Sequence, residues 1–168
     1  MIKIIYKTFK SLDDLAEDYE LKGEYGYFEI RVGDHSYGDI PALMDLELSS
    51  SIINIWFESI AKALILLKTN PIVYVADIES PRKWIKLYIE DEKNIQISYI
   101  LSENDKDTKL VQIKLHGVED VQWQEIVDKQ EFIDEFIKSF NSYITELKTL
   151  NSPDDYRIVQ LEDLLAQI

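Results

Sequence analysis

Between residues 52 and 67, twelve of sixteen side chains are apolar, and only Asn54, Glu58, Ser59 and Lys62 interrupt them. A run of this length reads as a helix. Asn54, Glu58 and Lys62 recur at every fourth position and so form one narrow polar stripe. The rest of the circumference needs protein around it, which is more cover than an ordinary surface helix takes. Ser49, Ser50 and Ser51 are candidate N-caps, because a hydroxyl accepts from the free N–H groups of a first turn, and Asn70-Pro71 disfavours continuation. A membrane span requires about 20 apolar residues almost free of charge, whereas Glu58 and Lys62 stand in mid-segment. The stretch from 51 to 68 is therefore expected to be a buried helix of a globular domain, with a sheet and further helices packed on it.

The chain of 168 residues fits a single domain. At that size a domain buries roughly 70% of the surface that its unfolded form exposes, so no disulfide or metal is needed to hold it together. There is no cysteine, which removes a thiol nucleophile, a thiolate metal site and a disulfide framework, and fits an intracellular protein. The apolar run from Ile2 to Ile5 meets Tyr6 and Lys7, too early for the core of a signal peptide. A cytoplasmic location is expected. Thirty-two acidic against eighteen basic residues give a net charge of −14. Phosphate backbones and anionic lipids are held by clustered Lys and Arg, so direct nucleic-acid or membrane binding is disfavoured and a basic partner is favoured. Solubility alone also accounts for such a charge.

In chain order, Ile2 to Phe9 alternates as a strand, and Ser11 with Asp14 resembles a capping box that opens a short helix bearing Leu12, Leu15 and Tyr19. Gly23, Gly26, Gly33 and Gly38 frame a strand with Phe28, Ile30 and Val32 on a core face and Tyr27, Glu29 and Arg31 on a wet one. Residues 72–76 form an interior strand. Residues 84–89 and 95–101 form a hairpin across the charged turn 90–94, and residues 111–115 extend it to an antiparallel meander. From Asp128 the period changes: Phe132, Phe136, Phe140, Tyr143 and Leu147 mark an amphipathic helix to Leu150, with Asp128 and Glu131 as its cap pair. Ser152-Pro153-Asp154-Asp155 reads as the start of a last helix, with Ser as cap and Pro at the first helical position. Strands without βαβ alternation, then helices, indicate an α+β domain with one antiparallel sheet of about five or six strands.

No catalytic constellation emerges. His35 and His116 are far apart in sequence, and a two-histidine, one-carboxylate site would need folding to bring them together near Asp34 or Asp39. Gly33 and Gly38 have the spacing of a phosphate loop, but Asp39 stands where lysine is required. The acid pairs Asp13-Asp14 and Asp154-Asp155 and the run Glu90-Asp91-Glu92 fall at turns and helix starts, where capping and solubility account for them. Glu103-Asn104-Asp105-Lys106-Asp107 lacks the glycine and terminal glutamate of a calcium loop. No cofactor, metal or enzymatic turnover is expected. Tyr25, Tyr27 and Tyr37, gathered among glycines, are candidate partner anchors, since tyrosine offers apolar area and a hydrogen bond at little rotamer cost. The bland alternative is that they cover a sheet edge or pack on one another.

The stretch Gly26-Tyr27-Phe28-Glu29-Ile30-Arg31-Val32-Gly33-Asp34, the Tyr37-Gly38 pair and the long apolar helix behind them resemble features of small acidic immunity proteins of bacterial polymorphic-toxin systems. That resemblance implies a non-catalytic protein that neutralises a cognate toxin by tight binding. A nuclease-type toxin is basic because it must hold phosphate. On this expectation Tyr25, Tyr27 and Tyr37 anchor the partner, and Glu90, Asp91, Glu92, Glu103, Asp105 and Asp107 supply rim charges. An oligomeric scaffold pairing through the last helix and an enzyme with a His/carboxylate site are the competing expectations. Replacing Ile60 or Leu64 of the central helix by Asp is expected to abolish folding, because burying an unpaired carboxylate costs several kcal/mol against a total stability of about 5–15 kcal/mol. A soluble, cooperatively melting variant by circular dichroism would refute the helix assignment.

Overall fold

The computed structural model describes residues 1–9, 21–38, 51–80, 82–103 and 109–168. The expected helix at residues 12–19, the caps Ser49 and Ser50, and Asp39, Asp105 and Asp107 lie outside these residues. The class is α+β, but the strands divide between two antiparallel sheets rather than one. In the smaller sheet, β1 (Ile2–Thr8), β2 (Tyr25–Val32) and β3 (His35–Tyr37) lie in that order, and the two-residue β4 (Ser51–Ile52) also pairs with β2. The larger sheet contains β5 (Ile72–Ala76), β6 (Lys83–Ile89), β7 (Asn94–Leu101), β8 (Val111–Gln112) and β9 (Asp120–Asp128). Its order is β8-β5-β6-β7-β9.

The central helix is present as α1 (Ile53–Leu66), and it packs on both β2 and β5. Its start differs from the expected serine cap. Ile52 is the capping residue and offers no side-chain acceptor, because Ser51 and Ile52 pair with Gly26 and Tyr25 as strand. The Ile53 N–H instead donates to the Glu24 carbonyl at 2.8 Å, so the sheet junction takes up one of the orphan donors of the first turn. At the other end Asn70 closes the helix, both its backbone N–H and its side-chain amide donating to the Leu66 carbonyl. Phe57 lies at the centre of the core, with no exposed surface. Its ring meets Phe28 at 5.3 Å, Phe140 at 5.1 Å, Tyr143 at 4.9 Å and Tyr6 at 5.5 Å. Through Phe28 the contacts continue to Trp56, Tyr37, Tyr99, Trp123 and His35, so one chain of ring contacts links both sheets and two helices.

Helix α2 (Lys129–Leu150) starts where expected, with the Asp128 carboxylate accepting from the N–H groups of Gln130 and Glu131. Its phenylalanine stripe faces Phe57, and a second stripe, Glu135, Ser139, Ser142 and Glu146, lies along β1. There the Ile4 N–H donates to Glu135 at 3.4 Å, Ser139 donates to the Ile4 carbonyl, Tyr6 donates to Ser142, and Thr8 donates to Glu146 at 2.6 Å. A helical repeat of about 3.6 thus meets a strand repeat of two, and the edge of the smaller sheet is covered.

Three expectations are corrected. Residues 111–115 do not continue the meander: β8 pairs with β5, and the place beside β7 belongs to β9, a strand that the sequence reading left out. Helix α3 (Tyr156–Leu165) is capped by Asp155, which accepts from the Arg157 N–H. Ser152 and Pro153 form a turn instead, closed by the Asp155 N–H on the Ser152 carbonyl at 3.0 Å. The wet face of β2 is partly covered. Tyr27 is buried with its ring 4.6 Å from Phe9, and the buried Glu29 carboxylate receives the Arg31 guanidinium at 2.6 and 3.0 Å.

Phe57→Ala is expected to cost about 3–5 kcal/mol, since the void would open where rings from four elements meet. Denaturant unfolding would measure it, and a loss below about 1 kcal/mol would show that this core collapses around the void.

Candidate interaction surface

The larger sheet has one face in the main core and one turned outward. Cross-strand partners place the outward side chains in three rows. Ile72, Tyr88, Gln96 and Ile126 form the first, Tyr74, Lys86, Ser98 and Gln124 the second, and Ala76, Trp84, Ile100 and Val121 the third. The third row is roofed: Trp84 and Ile100 are buried with Tyr74 and Leu115 in a small second core, and the Trp84 indole donates to the Ser102 carbonyl. Gly117 lets this roof close, because a Cβ there would stand 2.2 Å from the Glu103 carbonyl.

The second row is clipped by one residue. Glu119 accepts from the Tyr74 hydroxyl and from Lys86 Nζ, both at 2.6 Å, and Lys86 also lies 5.7 Å above the Tyr74 ring. Burial pushes the Glu119 carboxyl up, but donation from Lys86 and Tyr74 outweighs it and leaves the group below its ordinary value. Burial, then the bond to Glu119, pushes the Tyr74 phenol up. At neutral pH the cluster is a fixed carboxylate beside a protonated phenol, a structural clip rather than a poised general base. The first row is open, with Ile126 54% exposed and Tyr88 and Gln96 half-buried.

Acids stand at both ends of this face. Glu90, Asp91 and Glu92 form the β6–β7 turn beside the first row, where Asp91 accepts from the N–H groups of Lys93 and Asn94 and from the Asn94 amide. Those donations hold the Asp91 carboxyl below its ordinary value. At the opposite end are Asp120 and Glu103, the latter exposed and paired with Arg82 at 2.8 Å. The surface is therefore a strip with few charges between two acidic ends, an arrangement that suits a protein contact.

Two of the three expected tyrosine anchors are corrected. Tyr27 and Tyr37 are 2% and 5% exposed, so they offer almost no area to a partner. Tyr37 turns inward and donates to Asp77 at 2.7 Å; burial, reinforced by that carboxylate, pushes its phenol far up. Tyr25 is half-buried opposite Ile52. The glycine spacing that resembles a phosphate loop belongs to a hairpin: Val32 pairs with His35, and Gly33, at a φ of +60°, begins the two-residue turn. His35 stacks on Trp123 and approaches Glu125 at 3.4 Å, whereas His116 lies exposed in the loop after β8. Among the described residues no three His, Asp or Glu side chains converge as metal ligands would.

Two clefts are found among the described residues. One of about 300 Å³ lies between α1 and α3, lined by Asn54, Glu58, Lys62 and Arg157, so the polar stripe of α1 faces it. Within it Lys62 pairs with Glu58, and Arg157 pairs with Asp155 beside it. The other, of about 290 Å³, is apolar and bounded by Leu64, Ile89, Ile95, Ile133 and Ile168, with Lys68 and Lys129.

No known protein family matches the sequence, and comparison with curated proteins and with solved structures returns no match. No helix among the described residues is long and apolar enough to cross a membrane.

Glu119→Gln is expected to lose on the order of 1–3 kcal/mol at neutral pH, the usual range for hydrogen bonds to a charged group. A depressed carboxyl stabilises the fold above its unfolded pKa and loses that contribution as pH falls through the folded one. The gap between wild type and variant should accordingly narrow below about pH 4.3. Thermal melts from neutral to acid pH would read it, and a gap that stays constant would remove the clip from the argument.

Proposed function

We propose that this protein is a non-catalytic binding module that inhibits a basic partner protein, in the manner of the immunity proteins that its sequence resembles. The observation that carries the reading is the outer face of the larger sheet. It presents Tyr88, Gln96, Gln124, Ile126 and Val121 with few charges, while Glu90, Glu92, Glu103 and Asp120 stand at its ends. A net charge of −14 supplies the long-range field that steers a cationic partner, and the uncharged strip supplies area that desolvates at low cost. A nuclease-type toxin is such a partner, since its own site must be cationic to hold phosphate.

Tyr156 and Val159 of α3 are 69% and 41% exposed, which favours a second reading, a scaffold pairing through its last helix. Self-repulsion of so acidic a chain weighs against it, and light scattering separates the two. Co-expression with the protein encoded by the adjacent reading frame is expected to relieve growth arrest caused by that protein. Association of the purified pair should slow steeply between about 50 and 500 mM salt, with dissociation little changed. Neither complex nor protection would end the inhibitor reading.

A further inference from the structure

β9 is an edge strand of nine residues, paired with β7 on one side and with no described strand on the other. The phase of its hydrogen bonds follows from its neighbours. Lys129 N–H donates to the Lys93 carbonyl and Glu90 N–H to the Asn94 carbonyl, so Ile95, Ile97 and Tyr99 of β7 bond towards β9 and the residues between them bond towards β6. Their partners Val127, Glu125 and Trp123 spend their backbone groups on β7. The N–H and C=O groups of Gln124 and Ile126 consequently point away from the sheet, and no described group bonds to them.

Proteins normally blunt such an edge with lysine, proline, a short strand or a covering element. This chain does so elsewhere: α2 lays Glu135 and Ser139 on the Ile4 backbone at the edge of β1, and the edge strands β3 and β8 have three and two residues. β9 contains no Lys, Arg or Pro. Its bulge lies at the end between Val121 and Trp123 and its inward charge, Glu125, faces His35 at 3.4 Å, so neither covers the edge at Gln124 and Ile126. Val121 and Ile126 are 46% and 54% exposed along the strand. The Trp123 side chain faces inward and stacks on the His35 ring at 5.5 Å, away from the outer edge.

We infer that the unpaired edge of β9 is a strand-addition site, and that its occupant is an extended basic segment of a partner protein. Charge decides the occupant. β9 carries Asp120, Glu125 and Asp128, with no Lys or Arg in the strand. A second copy pairing antiparallel about Gln124 would set Asp120 against Asp128 at both ends, in molecules that each carry −14. Like charges placed directly opposite destabilise a strand pair, whereas lysine or arginine at those positions stabilises it. Backbone bonds from Gln124 and Ile126 would provide affinity, and the outward Gln124 and Ile126 side chains, with Gln96 behind them, would flank the alternate side chains of the added strand.

The inference rests on the proposed binding function, and the two fail separately. The probe is a terminally blocked peptide of the length of β9 that alternates lysine with valine, titrated into the full-length ¹⁵N-labelled protein, with a glutamate-for-lysine peptide as control. On saturation, amide exchange at Gln124 and Ile126 is expected to slow by at least about tenfold, while Trp123 and Glu125, already bonded to β7, change little. Gln124→Pro removes an outward N–H and leaves the β7 ladder, so it should melt near the wild type and bind the peptide about tenfold more weakly. Unchanged exchange at Gln124 and Ile126 overturns the inference even if the variant misfolds, because that measurement needs only the wild type. Equal binding of the glutamate peptide overturns the basic occupant, and concentration-dependent dimerisation abolished by Gln124→Pro replaces it with a second copy. If the partner from the adjacent frame binds wild type and Gln124→Pro equally, the binding function stands and strand addition falls. If that partner does not bind while the lysine peptide still protects Gln124 and Ile126, the edge stands and the inhibitor reading falls.

Discussion

The architecture depends on the fact that α1 cannot be half-exposed. With a single polar stripe, Asn54, Glu58 and Lys62, it must be covered on every other side, and no one sheet wraps a helix that far. Among the described residues, two sheets and two further helices meet this constraint. β2 and β5 both pack on α1, α2 brings Phe136, Phe140 and Tyr143 against Phe57, and α3 lies along the polar stripe. The division of the nine described strands between two sheets follows from this need for cover as much as from local strand chemistry.

The same economy decides which surfaces remain free. One sheet edge is closed by the second polar stripe of α2, and one sheet end is roofed by Leu115 and clipped by Glu119. On the larger sheet, among the described residues, the row of Tyr88, Gln96 and Ile126 and the edge of β9 beside it stay open, framed by acids at either end. Recognition on this reading draws on a field, a face and a row of backbone groups, and none of them needs a special side chain.

The elements with strong periodicity were legible in the sequence: α1, α2, the β6–β7 hairpin and the strand β1 lie close to where alternation and capping place them. β9 was not, for physical reasons. Its inward position Trp123 is followed by the inward but charged Glu125, Val121 and Ile126 point outward, and an irregularity between the Trp123 and Val121 pairs shifts the register, so the alternation breaks near the start of the strand. The pairing of β8 with β5 is set by distant partners, Val75 with Val111 and Tyr74 with Gln112, which no local pattern encodes. The tyrosines illustrate the same limit. The inward turn of Tyr37 is fixed by Asp77, forty positions away in sequence, and the glycines around it report hairpin geometry rather than exposure. At residues 152–155 the residue types that make a turn and those that make a cap coincide, and Asp155 takes the cap because its carboxylate also holds the Arg157 guanidinium.

Asp128 closes β9 and caps α2 at once, and the first residue of the helix, Lys129, still donates to the sheet through Lys93. Strand and helix are thus joined without a spacer, and the rotational phase of α2 is inherited from the register of β9. An α-helix turns by about 100° per residue, so one residue inserted at this joint would swing Phe132, Phe136 and Phe140 away from Phe57 and carry Glu135 and Ser139 off β1 together. A deletion would do the same in the opposite sense. Length variation tolerated elsewhere on the surface should therefore be forbidden here, and any natural variant of this chain must conserve the count of residues between Trp123 and Phe132 even where it changes their identity.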